Sequence, residues 1–403
     1  MLAALGVFLS ALKRGSWLGR RRVLAYGKIL LILEAITFAF LIAGTHGWIV
    51  PLERATTTDF ASFYAAGSLA DAGTPALAYD QAAHYGAEQR ATDPQIEYQF
   101  FYYPPVYLLL CALFAHLPYL VAFIAFELAT LALYLPVARA TAAEKDWALL
   151  VPLLAFPAVF WTLGLGQNSF LTAALLGLAL LLVDRRPILS GLVFGLLCYK
   201  PHFGLLIPVA LAAGGHWRAF AAAALSALLV VGLSVALFGI DTWQSFLTVA
   251  SGSYATYESG RIDFAGFVSP FGTVRLLGGG PAFAYLVQTS TTIIVAGLIA
   301  FIWRKGLSLP VRAASLATGT LLAIPVVLLY DLMTAFIAML WLVRAAQSGG
   351  YRPWQKAGFG FVFIVPIFSR TFGTAFHLPL APLATLVLFA LVLDSARREL
   401  ARR

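Results

Sequence analysis

A few polar residues interrupt long apolar runs in this chain, and each carries a group able to do chemistry. Asp59 lies just beyond the first long apolar stretch, in Thr56-Thr57-Thr58-Asp59-Phe60. A carboxylate held at a membrane–water boundary is placed to act as a base on a substrate borne by a lipid. Lys200 stands between two apolar half-segments and directly before Pro201. Its ammonium either snorkels outward or faces a polar cavity, and an ionisable group at membrane depth is a functional candidate by default. Gln167 and Asn168 break an otherwise apolar hairpin, and Tyr330-Asp331 follows Pro325 at the end of another apolar run.

The elements that must position these residues are membrane helices. Apolar residues make up 61% and charged residues 11% of the chain, and mean hydropathy is +0.86. Such a composition cannot be arranged as a soluble globule of this size. The apolar stretches have helical rather than barrel length, with the clearest spans at about 24–43, 119–138, 217–238 and 283–303. The fold class expected is an all-α polytopic membrane protein. The formal charge of +9 would suggest nucleic acid in a soluble protein. Here Lys and Arg fall in short clusters between apolar runs, at Lys13 to Arg22, Arg185-Arg186, Arg218, Arg304-Lys305, Arg344 to Lys356 and the Arg397 to Arg403 tail. That is the pattern of cytoplasmic loops, not of a nucleic-acid surface. The first apolar run is too long for a secretory h-region and has no small-x-small site near its end, so it reads as an uncleaved span. Cys111 and Cys198 both lie in apolar stretches, which excludes a disulfide framework. There is no His-Glu-x-x-His, Cys-x-x-Cys, Walker loop or clustered Asp-x-Asp, so a metal-bridged nucleotide-sugar donor finds no support.

Thirteen apolar segments can be counted. Parity with both basic ends inside predicts about twelve crossings, one of the short segments near 104–138 not spanning alone. The expectation is one integral membrane domain over 1–403. A first external loop runs over about 45–103, rich in aromatics suited to interfacial helices, and a second over about 239–282. This topology puts Asp59, Gln167, Lys200 and Tyr330-Asp331 on one outer face.

Several short motifs add a resemblance. Asp59 in the first loop, Tyr79-Asp80, Tyr102-Tyr103-Pro104-Pro105, Gly166-Gln167-Asn168, Tyr199-Lys200-Pro201 and Tyr330-Asp331 together resemble the polyprenyl-phosphate-mannose-dependent mannosyltransferases of glycosyltransferase family 87. Those enzymes belong to the GT-C superfamily, and the resemblance runs from about Tyr26 to about Leu342. It implies a GT-C fold with a helical first loop, a polyprenyl-phosphate sugar donor, and inverting transfer of a hexose, mannose in the family, to a glycolipid or glycan acceptor. It implies no metal and no cofactor, and a bacterial inner (plasma) membrane with the active site outside and both termini cytoplasmic.

Such a transfer needs a base for the acceptor hydroxyl, donors for the phosphate leaving group and polar contacts for the sugar. By resemblance Asp59 is the base; the plain structural alternative is that it caps the helix starting at Phe60. Glu53, Asp71 and Asp80 are rivals in the same loop, Asp80 looking structural or acceptor-side. Lys200 is the candidate phosphate ligand, with His202 and Arg275 as further donors and Arg261, Arg370 and His377 as weaker ones. Gln167, Asn168, Tyr64, Tyr330 and Asp331 are expected to line the sugar and acceptor pocket. Tying the hairpin to neighbouring helices is the alternative for Gln167 and Asn168, and an N-cap the alternative for Asp331. Glu34 and Glu127, inside spans, are expected to bond to neighbouring helices. A transporter or lipid flippase would share the charge pattern and the buried lysine, but it predicts two related halves with paired interrupted helices, and no such repeat is visible. The acceptor, the sugar and the oligomeric state are not legible.

Overall fold

The apolar runs fold as helices in the computed structural model, which describes residues 2–43 and 59–403. The beginning of the first loop, with Glu53 and Thr56 to Thr58, lies outside the described residues. Helices Arg20–Ala43, Tyr119–Ala142, Trp217–Phe238 and Pro281–Arg304 cover the four clearest spans read from the sequence. Among the described residues there is no strand, and extended backbone pairs at the single antiparallel bridge Phe267–Leu328.

Among the described residues six helices are long and apolar enough to cross a ~30 Å hydrocarbon core. They are Tyr119–Ala142, Trp217–Phe238, Pro281–Arg304, Leu329–Gln347, Gln355–Phe376 and Leu380–Ala401. A seventh crossing results if Trp147–Leu154 and Pro157–Leu165, bent by 67° at their junction, count as one. Pro157 opens the second half of that pair, where its missing N–H breaks the run of helical bonds. The rest of the twelve crossings expected fall to Arg20–Ala43, 24 residues long, and to the shorter apolar helices Pro105–Ala115, Ser169–Leu182, Pro187–Tyr199 and Pro201–Ala213. A 14-residue helix such as Ser169–Leu182 reaches only ~21 Å. Ser169–Leu182 begins after Asn168, and Pro187–Tyr199 and Pro201–Ala213 meet at Lys200, so the chain breaks inside the bundle where the sequence turns polar.

The basic clusters gather at one end. The Trp354 N–H donates to the Lys13 carbonyl at 2.8 Å, Arg20 pairs with Asp146, and Arg344 reaches the Ala140 carbonyl. Arg403 donates to the carbonyls of Lys305 and Gly306. Buried Arg312 joins Asp184 at 2.6 Å. The polar residues singled out above meet at the other end.

Both loops expected to be external are helical where described. The first holds helices Phe60–Asp71 and Gln81–Ala91 around the 3-10 turn Pro75–Tyr79; the second holds Ile240–Glu258 and Pro270–Leu276. Asp80 accepts from the Ala83 N–H at 2.8 Å and caps the Gln81 helix, the structural role expected of it. Phe60 and Phe63 bury the Phe60–Asp71 helix against Phe126 and Tyr107, with ring centroids 5.4 and 5.1 Å apart, and Tyr107 stacks on Tyr199 at 5.2 Å. At Gly67 a Cβ would come within 2.3 Å of the Cys111 carbonyl oxygen, so only glycine lets this helix lie directly on Pro105–Ala115. Glu127 corrects one expectation. It is buried at 3% exposure, yet among the described residues neither carboxylate oxygen has a hydrogen-bond partner, so the neighbouring helices do not bond it.

Candidate active site

The site is built around one turn. The Pro157–Leu165 helix ends in Gly166 at φ +68°, a left-handed conformation that favours glycine. A Cβ there would also sit 2.5 Å from the Cβ of Phe60. The turn thus packs directly on the residue after Asp59 and delivers Gln167 to it. Gln167 Nε2 donates to Asp59 Oδ2 at 2.5 Å. Asp59 stands at the N-cap position of its helix, but its side chain makes no capping bond. The carboxylate faces the Gly166 turn instead of closing its own helix, which removes the structural alternative.

Asp59 is partly buried and touches no cation among the described residues. Burial raises its pKa from 3.8 to about 6, the Gln167 hydrogen bond pulling the other way. A carboxylate so placed is ionised at neutral pH, yet a far better proton acceptor than an ordinary aspartate.

On the other side of the turn lies Asp331, 3% exposed, in the 3-10 turn Leu329–Leu332. Its Oδ1 accepts from Lys200 Nζ at 2.6 Å and from Ser169 Oγ at 3.3 Å, and its Oδ2 from the Leu328 N–H at 3.2 Å. The last bond is a partial capping contact; the others extend beyond a cap. Lys200 also donates to Asn168 Oδ1 at 3.4 Å and lies 4.6 Å from the Phe203 ring centre and 5.7 Å from that of Tyr330. The lysine does not snorkel. It is 3% exposed and ends in a buried ion pair. Two ions withdrawn from water are tolerated because each meets the other and further hydrogen-bond partners.

Asp59, Gln167, Asn168, Lys200, Tyr330 and Asp331 therefore come together, as the outer-face topology expects. Other candidates do not join them. Arg275 donates Nη1 to the Gly279 carbonyl at 2.7 Å and Nη2 to the Glu258 carbonyl at 2.8 Å, and its guanidinium lies 4.9 Å from the Phe264 ring centre. Those bonds brace the second loop. The His202 ring is exposed and packs edge-on to Phe203 at 5.3 Å, without a hydrogen bond or ion pair among the described residues. Tyr64 donates to the Leu117 carbonyl at 2.9 Å and packs on Tyr119, tying the first loop to the next helix rather than entering the polar cluster.

Several contributors escape a reading of the sequence. Ser169 opens a helix and looks like a cap, but its hydroxyl binds Asp331. Thr172 and Tyr199 share a 2.5 Å hydrogen bond one turn further along. Behind Asp59, buried His84 bonds the Ser62 carbonyl through Nε2 at 3.0 Å, with Nδ1 3.5 Å from Glu88. Burial lowers the His84 pKa to about 4 and raises that of Glu88 to about 8, so at neutral pH both are uncharged. Their i,i+4 spacing on a helix is the one signal that could have found them.

Comparison with known proteins agrees with this architecture. No curated protein and no solved structure matches the chain. Residues 101–330 match the family model described as Glycosyltransferase family 87. The match takes in Gln167, Asn168, Lys200 and Tyr330 and stops one residue short of Asp331; Asp59 precedes it. It covers more than half of the chain, which belongs to glycosyltransferase family 87, a family of membrane glycosyltransferases.

Proposed function

We propose that the protein transfers a hexose, mannose by resemblance, from a polyprenyl-phosphate donor to a lipid- or envelope-linked acceptor at the outer face of the membrane. The observation that carries this reading is the Asp59 carboxylate: it leaves its own helix uncapped, is held by a neutral amide, and has a pKa raised to about 6. Asp59 takes the proton of the acceptor hydroxyl. The hydroxyl oxygen attacks the anomeric carbon from the face opposite the phosphate, the carbon–oxygen bond to phosphate breaks, and the leaving phosphate keeps the electron pair. One displacement of this kind inverts the anomeric centre. Gln167 holds the base in place, and Asn168, Tyr330 and Asp331 shape the sugar pocket.

Lys200 meets the phosphate with the one N–H left over once Asp331 and Asn168 have taken two of its three donors. The gathering of basic clusters at the opposite end supports an active site on the outer side, with both termini cytoplasmic.

The test is transfer from radiolabelled polyprenyl-phosphate-mannose to a lipid extract of the native membrane, with purified wild type and Asp59→Asn compared after a thermal-melting check. Transfer by the wild type and its disappearance in a folded mutant is the expected result. Equal transfer by both would remove Asp59 from the role of base.

A further inference from the structure

The first loop holds a buried pair that the transfer chemistry leaves unused. His84 and Glu88 lie one turn apart on the Gln81–Ala91 helix, and both side chains are fully withdrawn from solvent. Each ties that helix to a different neighbour. His84 Nε2 donates to the Ser62 carbonyl at 3.0 Å, and the Ser62 N–H in turn donates to the Asp59 carbonyl at 3.1 Å, so the histidine grips the first turn of the helix that Asp59 begins. Glu88 Oε2 accepts from the Gln99 N–H at 3.1 Å, on the extended segment that runs into Tyr103. Ser62 Oγ donates to the Phe100 carbonyl at 3.2 Å and joins the Asp59 helix to that same segment.

The proton count of the pair follows from its partners. A carbonyl only accepts, so Nε2 carries the ring hydrogen toward Ser62, and Nδ1 of a neutral ring is an acceptor. Nδ1 faces Glu88 Oε1 at 3.5 Å, and neither atom has a hydrogen-bond partner among the described residues. Two acceptors so placed repel, whereas one proton between them gives each a partner. An imidazolium and a carboxylate could hold that proton as an ion pair, but full burial disfavours both charges, pushing Glu88 up to about 8 and His84 down to about 4. The proton therefore sits on Glu88. The groups that face Glu88 are His84 on its own helix, Asp59 from the start of the neighbouring helix and Tyr98 from the extended segment. An ionised Glu88 would bring a second negative charge toward the base, and the protonated form keeps that charge away.

We propose that His84 and Glu88 are positioning residues for Asp59: a proton shared between Oε1 and Nδ1 locks the Gln81–Ala91 helix to the Ser62 carbonyl and the Gln99 N–H, and so fixes the Asp59 carboxylate against the Gly166 turn. The proposal rests on the reading of Asp59 as the base of the transfer. Neither residue touches the substrate. Loss of the shared proton sets lone pair against lone pair, loosens the hold on Ser62 and lets the first turn of the Asp59 helix shift away from Gln167.

The test is sugar transfer from radiolabelled polyprenyl-phosphate-mannose to the native lipid extract, followed from pH 6.5 to 9.5 with full-length wild type, Glu88→Gln, Glu88→Leu and His84→Phe. A glutamine repeats both bonds of protonated Glu88, donating to Nδ1 and accepting from the Gln99 N–H, but has no proton to lose. Glu88→Gln should therefore retain most of the transfer at pH 7, where Glu88→Leu and His84→Phe should each lose it severalfold; either of these two serves if the other does not fold. Above pH about 8 the wild type should fall severalfold relative to Glu88→Gln, the ratio cancelling every titration the two proteins share. Thermal midpoints over the same range give a reading that needs no transfer. Folded Glu88 keeps its proton up to about pH 8, whereas an ordinary glutamate loses it near 4.5, so the wild type should lose stability relative to Glu88→Gln between pH 6.5 and 8 and level off above. A transfer ratio of wild type to Glu88→Gln that stays constant with pH overturns the proposal, as does wild-type transfer in both Glu88→Leu and His84→Phe. If no preparation transfers sugar, the proposed function falls and the midpoints alone decide the shared proton, a constant difference overturning it. Transfer that needs Asp59 but is indifferent to His84 and Glu88 leaves the function standing and removes the clamp.

Discussion

Asp59 and Asp331 reach the same short turn, Gly166 to Ser169, and meet opposite partners. Asp59 is bonded by the neutral amide of Gln167; Asp331 is bonded by the ammonium of Lys200 and by Ser169. Both are withdrawn from water, so burial alone does not separate them. The partner does. A carboxylate bonded by an amide meets no counter-charge and retains its appetite for a proton, whereas one paired with a buried lysine is held in an ion pair and organises its surroundings. One turn of backbone thus supports a basic carboxylate and a neutralised one, the kind of division that assigns an acid–base role to the first.

The sharpest way to break the comparison is to neutralise each aspartate in turn. Asp59→Asn should lower sugar transfer by roughly 10²- to 10⁴-fold, the range of a lost general base, and leave the thermal midpoint close to wild type. If Asp331→Asn gave the same pattern, with full stability and no transfer, the division of labour would be wrong.

A somewhat smaller effect concerns the ion pair. Lys200→Met should destabilise the protein by about 3–5 kcal/mol, because it leaves Asp331 buried without its counter-charge. Lys200→Met combined with Asp331→Leu should recover much of that loss. Thermal unfolding in detergent measures both, and a double variant no more stable than the single one would show that the pair contributes more than charge balance.

Gln167→Leu tests the other half. It removes the hydrogen bond that favours ionised Asp59, so the apparent pKa of the base should rise above about 6 and activity at pH 7 should fall severalfold, with partial recovery at higher pH. A pH–rate profile of the variant that overlays wild type would remove Gln167 from control of the base.

The smallest effect is in the wild type. Activity should climb through pH about 6 as Asp59 ionises. Stability should move the other way. Folded Asp59 holds its proton up to about pH 6, whereas an ordinary aspartate loses it near 3.8, so between these values the folded state binds more protons and loses stability as pH rises. Comparing unfolding midpoints of wild type and Asp59→Asn across pH 4–6 isolates this contribution, since the asparagine variant lacks that slope.

Much of the architecture is legible along the chain. Hydropathy and charge identify the spans Tyr119–Ala142, Trp217–Phe238 and Pro281–Arg304, because a membrane helix satisfies its own backbone and needs only a continuous apolar surface. Of the two roles left open for Asp80 the structure shows the structural one, a cap, which is settled within three residues. Helix count is less legible. Segments such as Ser169–Leu182 are apolar enough to look like spans, but the polar residues at their ends mark breaks inside the bundle.

Pairing could not be read in this way. Gln167 is 108 residues from Asp59, and Asp331 is 131 from Lys200. Nothing in the sequence shows that both terminal nitrogens of Arg275 are bound to carbonyls, or that Glu127 lacks a partner among the described residues. Composition and local spacing by themselves determined that this is a helical membrane protein and marked which polar residues interrupt its apolar runs, because hydrophobic burial and capping act over a few turns. Only the tertiary structure decided that Asp59 faces an amide and Asp331 a lysine, because those partners are set by how distant helices pack, through close approaches such as Gly166 on Phe60 that no local pattern encodes.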